Sequence, residues 1–360
     1  MTNNWTSDPA YAYKLESLPR GKDTTVPVTF SCNTPHRVVV VDFKSNCFLC
    51  SCDGYLPIPV GQVQEFDSLE AIWNSPTAKI LQEDVDSGKF TWCAVDHCGV
   101  RDRNIFRPVY QLGINIDESC NLHCPSCRRD PIMLQDGLEF EKKSKDMATI
   151  LSWLEKFQHP IQITLTGNGD PFASHIIRPL FKTFVPRPTQ KIRLITNGLL
   201  IRKQLTNSQI LPNIDVFSIS VDAGSAEVYQ QIRCGGSWVT LMDNFDFLTE
   251  ENKNHLVSLN FAVQKNNYKD LYNFVNLCRK YNFKGTVHQL DDWGTWNYNT
   301  QHSPDAWTII NGTYLDHAIL RPSHPDHSEC LTILKDIADQ KNKFLTYTPI
   351  IENLIKHVRL

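Results

Sequence analysis

The sequence predicts an α/β protein in which six strand–helix units follow a small, cysteine-rich N-terminal region. Three observations predict it. Short β-branched or alternating apolar runs recur between amphipathic segments through the second half of the chain. A CxxxCxxC group, Cys120, Cys124 and Cys127, directly follows the first of these runs. Ahead of it, further cysteines gather at Cys47, Cys50 and Cys52 and at Cys93 and Cys98.

Composition bounds the function classes. A chain of 360 residues, 41% apolar, is long enough for two domains or one large domain with an appendage. A net charge of −3 gives no global attraction to nucleic acid or to an anionic membrane, so neither is an expected partner. No apolar run approaches the length of a membrane span, and the polar stretch Met1 to Asp8 lacks a signal-peptide core. A cytoplasmic location is expected. Twelve cysteines in a reducing compartment point to metal binding or catalysis more than to disulfides.

In chain order, Arg37 to Phe43 is β-branched and short and reads as a buried strand. Cys47 to Gly54 reads as a loop, and Ser68 to Ser75 as a helix with Leu69, Ile72 and Trp73 on one face. Cys93 and Cys98 follow as CxxxxC. Cys32 is either a further ligand or an ordinary buried thiol. Leu112 to Ile116 alternates as a strand. Five more strands are predicted at Ile161–Thr166, Lys191–Thr196, Asp215–Val221, His255–Val263 and Gly285–Leu290. Helices lie between them. In Tyr268–Tyr281, Leu271, Phe274, Val275 and Cys278 share a face, which makes Cys278 a core residue. Asp291 to Asn297 reads as a loop with packed tryptophans, or as a substrate contact. His317, His324, His327 and Cys330 suit either a metal or a cap over the barrel, and residues 331–360 read as helix.

Chemistry concentrates where strands end, because ligands gather at the carboxyl ends of strands in such folds. Three thiolates can hold three irons of a 4Fe–4S cube and leave the fourth without a protein ligand. Zinc held by the same cysteines and His123 is the competing reading. After the second strand comes Thr166-Gly167-Asn168-Gly169-Asp170-Pro171, a glycine loop whose carbonyls or carboxylate suit an ammonium group. Thr196-Asn197-Gly198 ends the third strand. Ser220 and Asp222, two apart at the end of the fourth, place a hydroxyl and a carboxylate on one face, a pattern suited to a ribose diol.

These motifs, in this order, resemble the radical S-adenosylmethionine (SAM) superfamily. The resemblance covers residues 110 to about 292 and implies a partial (β/α)6 TIM-like barrel. It implies that SAM chelates the open iron and is cleaved reductively to a 5′-deoxyadenosyl radical, which abstracts hydrogen from the substrate. Cys120, Cys124 and Cys127 then hold the catalytic cluster. Gly167, Asn168, Gly169 and Asp170 match the motif that holds the SAM amino group, with aspartate in place of glutamate. Thr196 and Asn197 lie near the cofactor, Ser220 and Asp222 at the ribose, and Arg233 at the carboxylate. The fifth strand, from Asn260 to Gln264, forms an apolar wall near the adenine. Ser126 departs from the aromatic residue usual before the third cysteine.

Residues 30–108 resemble SPASM and twitch modules, which implies a second, auxiliary 4Fe–4S cluster. Its candidate ligands are Cys47, Cys50, Cys52, Cys93 and Cys98, with Cys32 in reserve. Structural zinc is the alternative there. The implied organisation is an auxiliary domain at 1–108, the partial barrel at 109–292 and a capping extension at 293–360. The implied partners are a reductant such as flavodoxin or ferredoxin and a peptide substrate. A sugar, nucleotide or other small metabolite is the second substrate class, and a non-catalytic zinc-binding module is the reading outside enzymology.

Overall fold

The computed structural model describes residues 31–50, 56, 58–93, 104–124, 126–127, 131–166, 169–290, 314–340 and 342–357. The chain divides into two compact units. The first takes residues 1–118, 134–168 and 186–191, and the second takes 119–133, 169–185 and 192–360.

The first unit is built on β1 (Val38–Val41), four valines that are all buried. A strand covered on both faces reads as an unbroken apolar run, and this one does. β1 pairs antiparallel with β2 (Asn46–Phe48), with Val41 opposite Cys47, and β2 pairs antiparallel with β3 (Gly61–Gln62). Asp42 closes the β1–β2 turn by accepting from the Lys44 and Asn46 amides. Helix α1 (Leu69–Trp73) starts where Ser68 Oγ accepts from the Ala71 amide, and Ser75 caps α2 (Pro76–Asp86) in the same way. The Trp73 indole is buried and donates to the Val38 carbonyl.

β4 (Tyr110–Ile114) lies parallel to β1, with Val38 opposite Gln111 and Val41 opposite Ile114. Helix α3 (Gly137–Lys156) follows and buries Met147, Ile150, Trp153 and Leu154. It leads to β5 (Ile161–Leu165), which lies parallel to β4. The order in this unit is therefore β5-β4-β1-β2-β3. Residues 38–62 are bound into the sheet that contains the first strand of the βα series, and the compact unit runs through position 108 without a break.

In the second unit α4 (Leu180–Thr183) precedes β6 (Gln190–Thr196), and α5 (Ile201–Leu205) precedes β7 (Ile214–Ser220). Then come α6 (Ala226–Ile232), α7 (Trp238–Glu250), β8 (Val257–Val263), α8 (Leu271–Tyr281) and β9 (Lys284–Gln289). Strands β6 to β9 pair in parallel in chain order. The expected strands all form, within two residues of their predicted ends, and the mostly parallel α/β class is the one expected. Cys278 is fully buried on α8, and burial pushes its thiol up to about 12, as befits a core residue.

The C-terminal region differs from expectation. α9 (Tyr314–His317) and α10 (His327–Asp339) precede β10 (Leu345–Tyr347) and α11 (Pro349–His357). β10 pairs in parallel with β9, so residues 331–360 are not one helix. Gly285 permits this close packing. A Cβ there would stand 2.5 Å from Leu345 and 2.9 Å from both Cys278 and Phe274. Phe261 on β8 and Phe274 on α8, both fully buried, meet with ring centres 4.9 Å apart. Burying each stabilises the fold by roughly 1.5–3 kcal/mol.

Candidate active site

The site lies within the second unit, on the loops beyond the carboxyl ends of β6 and β7 and on residues 119–127. Backbone bonds fix the cysteine loop at several points. The Cys120 amide donates to the Ile132 carbonyl at 2.7 Å, His123 to Cys234 at 3.1 Å and Cys127 to Cys124 at 2.9 Å. The Asp170 amide donates to the Ser119 carbonyl at 2.8 Å, which ties the glycine loop to the cysteine loop. Gly235, with φ of +86°, lets the chain pass against the His123 ring, where a Cβ would sit 3.1 Å from ring atoms.

Asp170 is the buried hub. Its Oδ2 accepts from Thr196 Oγ1 and from the Asn197 amide, both at 2.7 Å, and its Oδ1 accepts from the Phe172 amide at 2.9 Å. Burial raises its pKa, and these donors pull against that shift. Together these bonds join two loops.

Asn197 continues the chain of contacts. Its Oδ1 accepts from the Leu199 amide at 3.0 Å, and its Nδ2 donates to Asn121 Oδ1 at 2.9 Å and toward Cys120 Sγ at 3.8 Å. Neither the Asn121 partnership nor the Asp170–Thr196 bond was legible in sequence, since each joins loops from different strands.

Asp222 stands off the strand that was expected to carry it. It lies two residues beyond the end of β7, in the left-handed region with φ of 55°, so the period-two argument does not reach it. Its Oδ2 is 2.5 Å from Arg233 Nη2, and its Oδ1 accepts from the Ala262 amide at 2.7 Å. Asp222 is thus the ion-pair partner of Arg233. Ser220 ends β7 half-buried. Arg233 Nη1 also approaches Cys124 Sγ at 3.7 Å. Burial opposes the guanidinium charge, and Asp222 and Cys124 more than offset it. Burial likewise raises the Cys124 thiol, with Arg233 acting against the shift.

Three buried polar atoms beside Cys124 have no hydrogen-bond partner: His123 Nδ1, Tyr229 Oη and Arg233 Nε. Leaving such a group bare costs about 1–3 kcal/mol, so a cluster of them marks a place built to receive a polar ligand. Sequence reading gave Tyr229 no role, because a tyrosine inside a helix carries no signal beyond packing.

The residues fit an iron–sulfur cube. Two of the three sulfurs, on Cys120 and Cys124, already face hydrogen-bond donors that favour an anionic sulfur. Among the described residues no three His, Cys, Asp or Glu side chains converge as ligands of a single metal ion. A cube carries its thiolates on separate irons and needs no such convergence.

The N-terminal cysteines are divided. Cys47 is fully buried on β2, and burial together with Asp42, Glu65 and Asp146 raises its thiol well above the ordinary value. Cys32 and Cys93, both half-buried, pack against the same apolar pair, Val85 and Phe90. Cys50 is half-buried. Cys52, Cys98, Gly167, Asn168 and the stretch 291–297 lie outside the described residues.

In the C-terminal group, His324 Nε2 meets the Asp316 carbonyl and His327 Nδ1 the Ile319 carbonyl, while Cys330 is buried. The two histidines brace the local backbone. Nearby, a cavity of about 130 Å3 opens past the ends of β8 and β9 between Val263, Leu290, Leu320 and Arg321.

Residues 114–278 match the family model described as the radical SAM superfamily. Among solved structures, the chain is similar to native anSMEcpe with bound AdoMet (15% identity, TM-score 0.39, covering 62% of this chain and 57% of that one). It is also similar to native anSMEcpe with bound AdoMet and Cp18Cys peptide (14%, 0.38, 64% and 60%). A third is TYW1 with a lysine-pyruvate adduct bound (18%, 0.32, 48% and 63%). The chain spans less than two thirds of the length of each. No curated protein matches the chain.

Proposed function

We propose that the chain, whose residues 114–278 match the radical SAM family model, is an enzyme that cleaves SAM reductively and abstracts hydrogen from a carbon centre of its substrate. The observation that carries this is the set of unpartnered buried donors and acceptors around Cys124, inside the segment that matches the family. When bound, the 4Fe–4S cluster and SAM supply the electron transfer and the 5′-deoxyadenosyl radical. The chain supplies placement. Cys120, Cys124 and Cys127 would hold the cluster. Arg233 Nε, charged and unpartnered, would take the SAM carboxylate, and Ser220 would meet a ribose hydroxyl. The Gly167–Asp170 loop would take the SAM amino group, through its carbonyls or the Asp170 carboxylate.

The auxiliary cluster belongs to the proposal. Its candidate ligands are Cys47, Cys50, Cys52, Cys93 and Cys98, with Cys32, which shares one apolar neighbourhood with Cys93, in reserve. A peptide is the substrate proposed first, on the likeness of residues 30–108 to SPASM modules, and flavodoxin or ferredoxin is the proposed reductant.

The test is iron and acid-labile sulfide on anaerobically reconstituted protein, with 5′-deoxyadenosine release from SAM under dithionite. A catalytic cube accounts for about four irons, and an auxiliary one for about four more. The Cys120/Cys124/Cys127→Ala triple variant loses about four irons and all 5′-deoxyadenosine. A wild type that binds no iron overturns the proposal.

A further inference from the structure

We infer that Asn197 and Arg233 are positioning residues for the cluster itself, two donors aimed at Cys120 and Cys124 that raise its reduction potential. The inference rests on the proposed cluster and assigns these residues a task beyond holding SAM. Asn197 is locked from several sides. Its amide N–H is held by Asp170, its Oδ1 by the Leu199 amide, and its Nδ2 by Asn121 Oδ1 beside the Cys120 sulfur. A side chain so fixed keeps its N–H directed at the sulfur without reorganisation. Arg233 is fixed by Asp222 at 2.5 Å and presents Nη1 to Cys124 at 3.7 Å.

A reduced cluster carries one more negative charge than the oxidised one, and that charge resides partly on the sulfurs. A donor to sulfur therefore stabilises the reduced form more, and the potential rises. Asp170 holds the Asn197 amide N–H and so fixes the residue whose side-chain amide faces the Cys120 sulfur.

The test is potentiometry followed by electron paramagnetic resonance on reconstituted protein without SAM, with iron content measured in parallel. Asn197→Ser removes the donor and should shift the one-electron reduction equilibrium about five- to tenfold toward the oxidised form, about 40–60 mV to lower potential. The Asp222→Asn/Arg233→Gln double variant removes both charges of the pair together and should shift it the same way. It decides the matter if Asn197→Ser fails to load iron. Full iron with an unchanged potential in a loaded variant overturns the inference while leaving the enzyme reading intact. A wild type without iron overturns both.

Discussion

Replacing Asp170 tests whether the site is held together by one buried carboxylate. Its side chain accepts three hydrogen bonds, two of them from backbone amides, those of Phe172 and Asn197. Asp170→Ala leaves both amides without partners where water does not reach. At about 1–3 kcal/mol for each orphaned donor, the cost is about 2–6 kcal/mol, a large part of a typical stability of about 5–15 kcal/mol. Asp170→Asn keeps one accepting oxygen and turns an NH2 toward at least one donor, so about 1–3 kcal/mol is expected. The assay is urea unfolding of the apo protein, reading the midpoint at unchanged slope, beside amide exchange at Phe172 and Asn197. Both amides should exchange faster in the variants. The pH dependence has a definite sign. Burial raises the folded pKa, so the folded state binds the extra proton between the ordinary carboxylate value of about 3.9 and the raised value. The wild type therefore gains stability relative to Asp170→Asn as pH falls through that window, and loses it as pH rises. Asp170→Ala within about 1 kcal/mol of the wild type, with Asn197 still protected, would refute the reasoning.

Three further outcomes are expected. Arg233→Ala strands the Asp222 carboxylate, whose side chain is only 9% exposed, and should destabilise by about 3–5 kcal/mol in urea, with Asp222→Ala/Arg233→Ala recovering part of the loss. Cys47→Ala should cost about 1 kcal/mol in the same assay, because the thiol is fully buried. Gly285→Ala should destabilise by about 1–3 kcal/mol, read as a lower thermal midpoint, because its Cβ would meet Leu345 at 2.5 Å.

The strands of the βα series were legible because alternation and β-branching are local properties that survive without tertiary context. β10 was not. Leu345-Thr346-Tyr347 is three residues set between helical stretches, and only its partner β9 makes it a strand. At the site, spacing singled out Cys120, Cys124 and Cys127 as candidate ligands. The contacts around them were not legible. The Asp222 backbone turns left-handed beyond the strand end, and nothing in a glycine loop announces that Thr196 and Asn197 will fold onto the Asp170 carboxylate. Cys47, read as the start of a loop, pairs with β1 and is fully buried.

The parallel pairing of β1 with β4 has a consequence for how this protein can be handled. β4 is bonded on one side by β5 and on the other by β1. Cutting the chain at residue 108 to isolate the βα series would strip that second side and leave Tyr110 to Ile114 with an open row of amides and carbonyls. Such an edge invites pairing with a second molecule. A fragment beginning at residue 109 should therefore self-associate or precipitate, whereas one retaining residues 31–62 keeps its flank closed by the β1–β2–β3 ribbon.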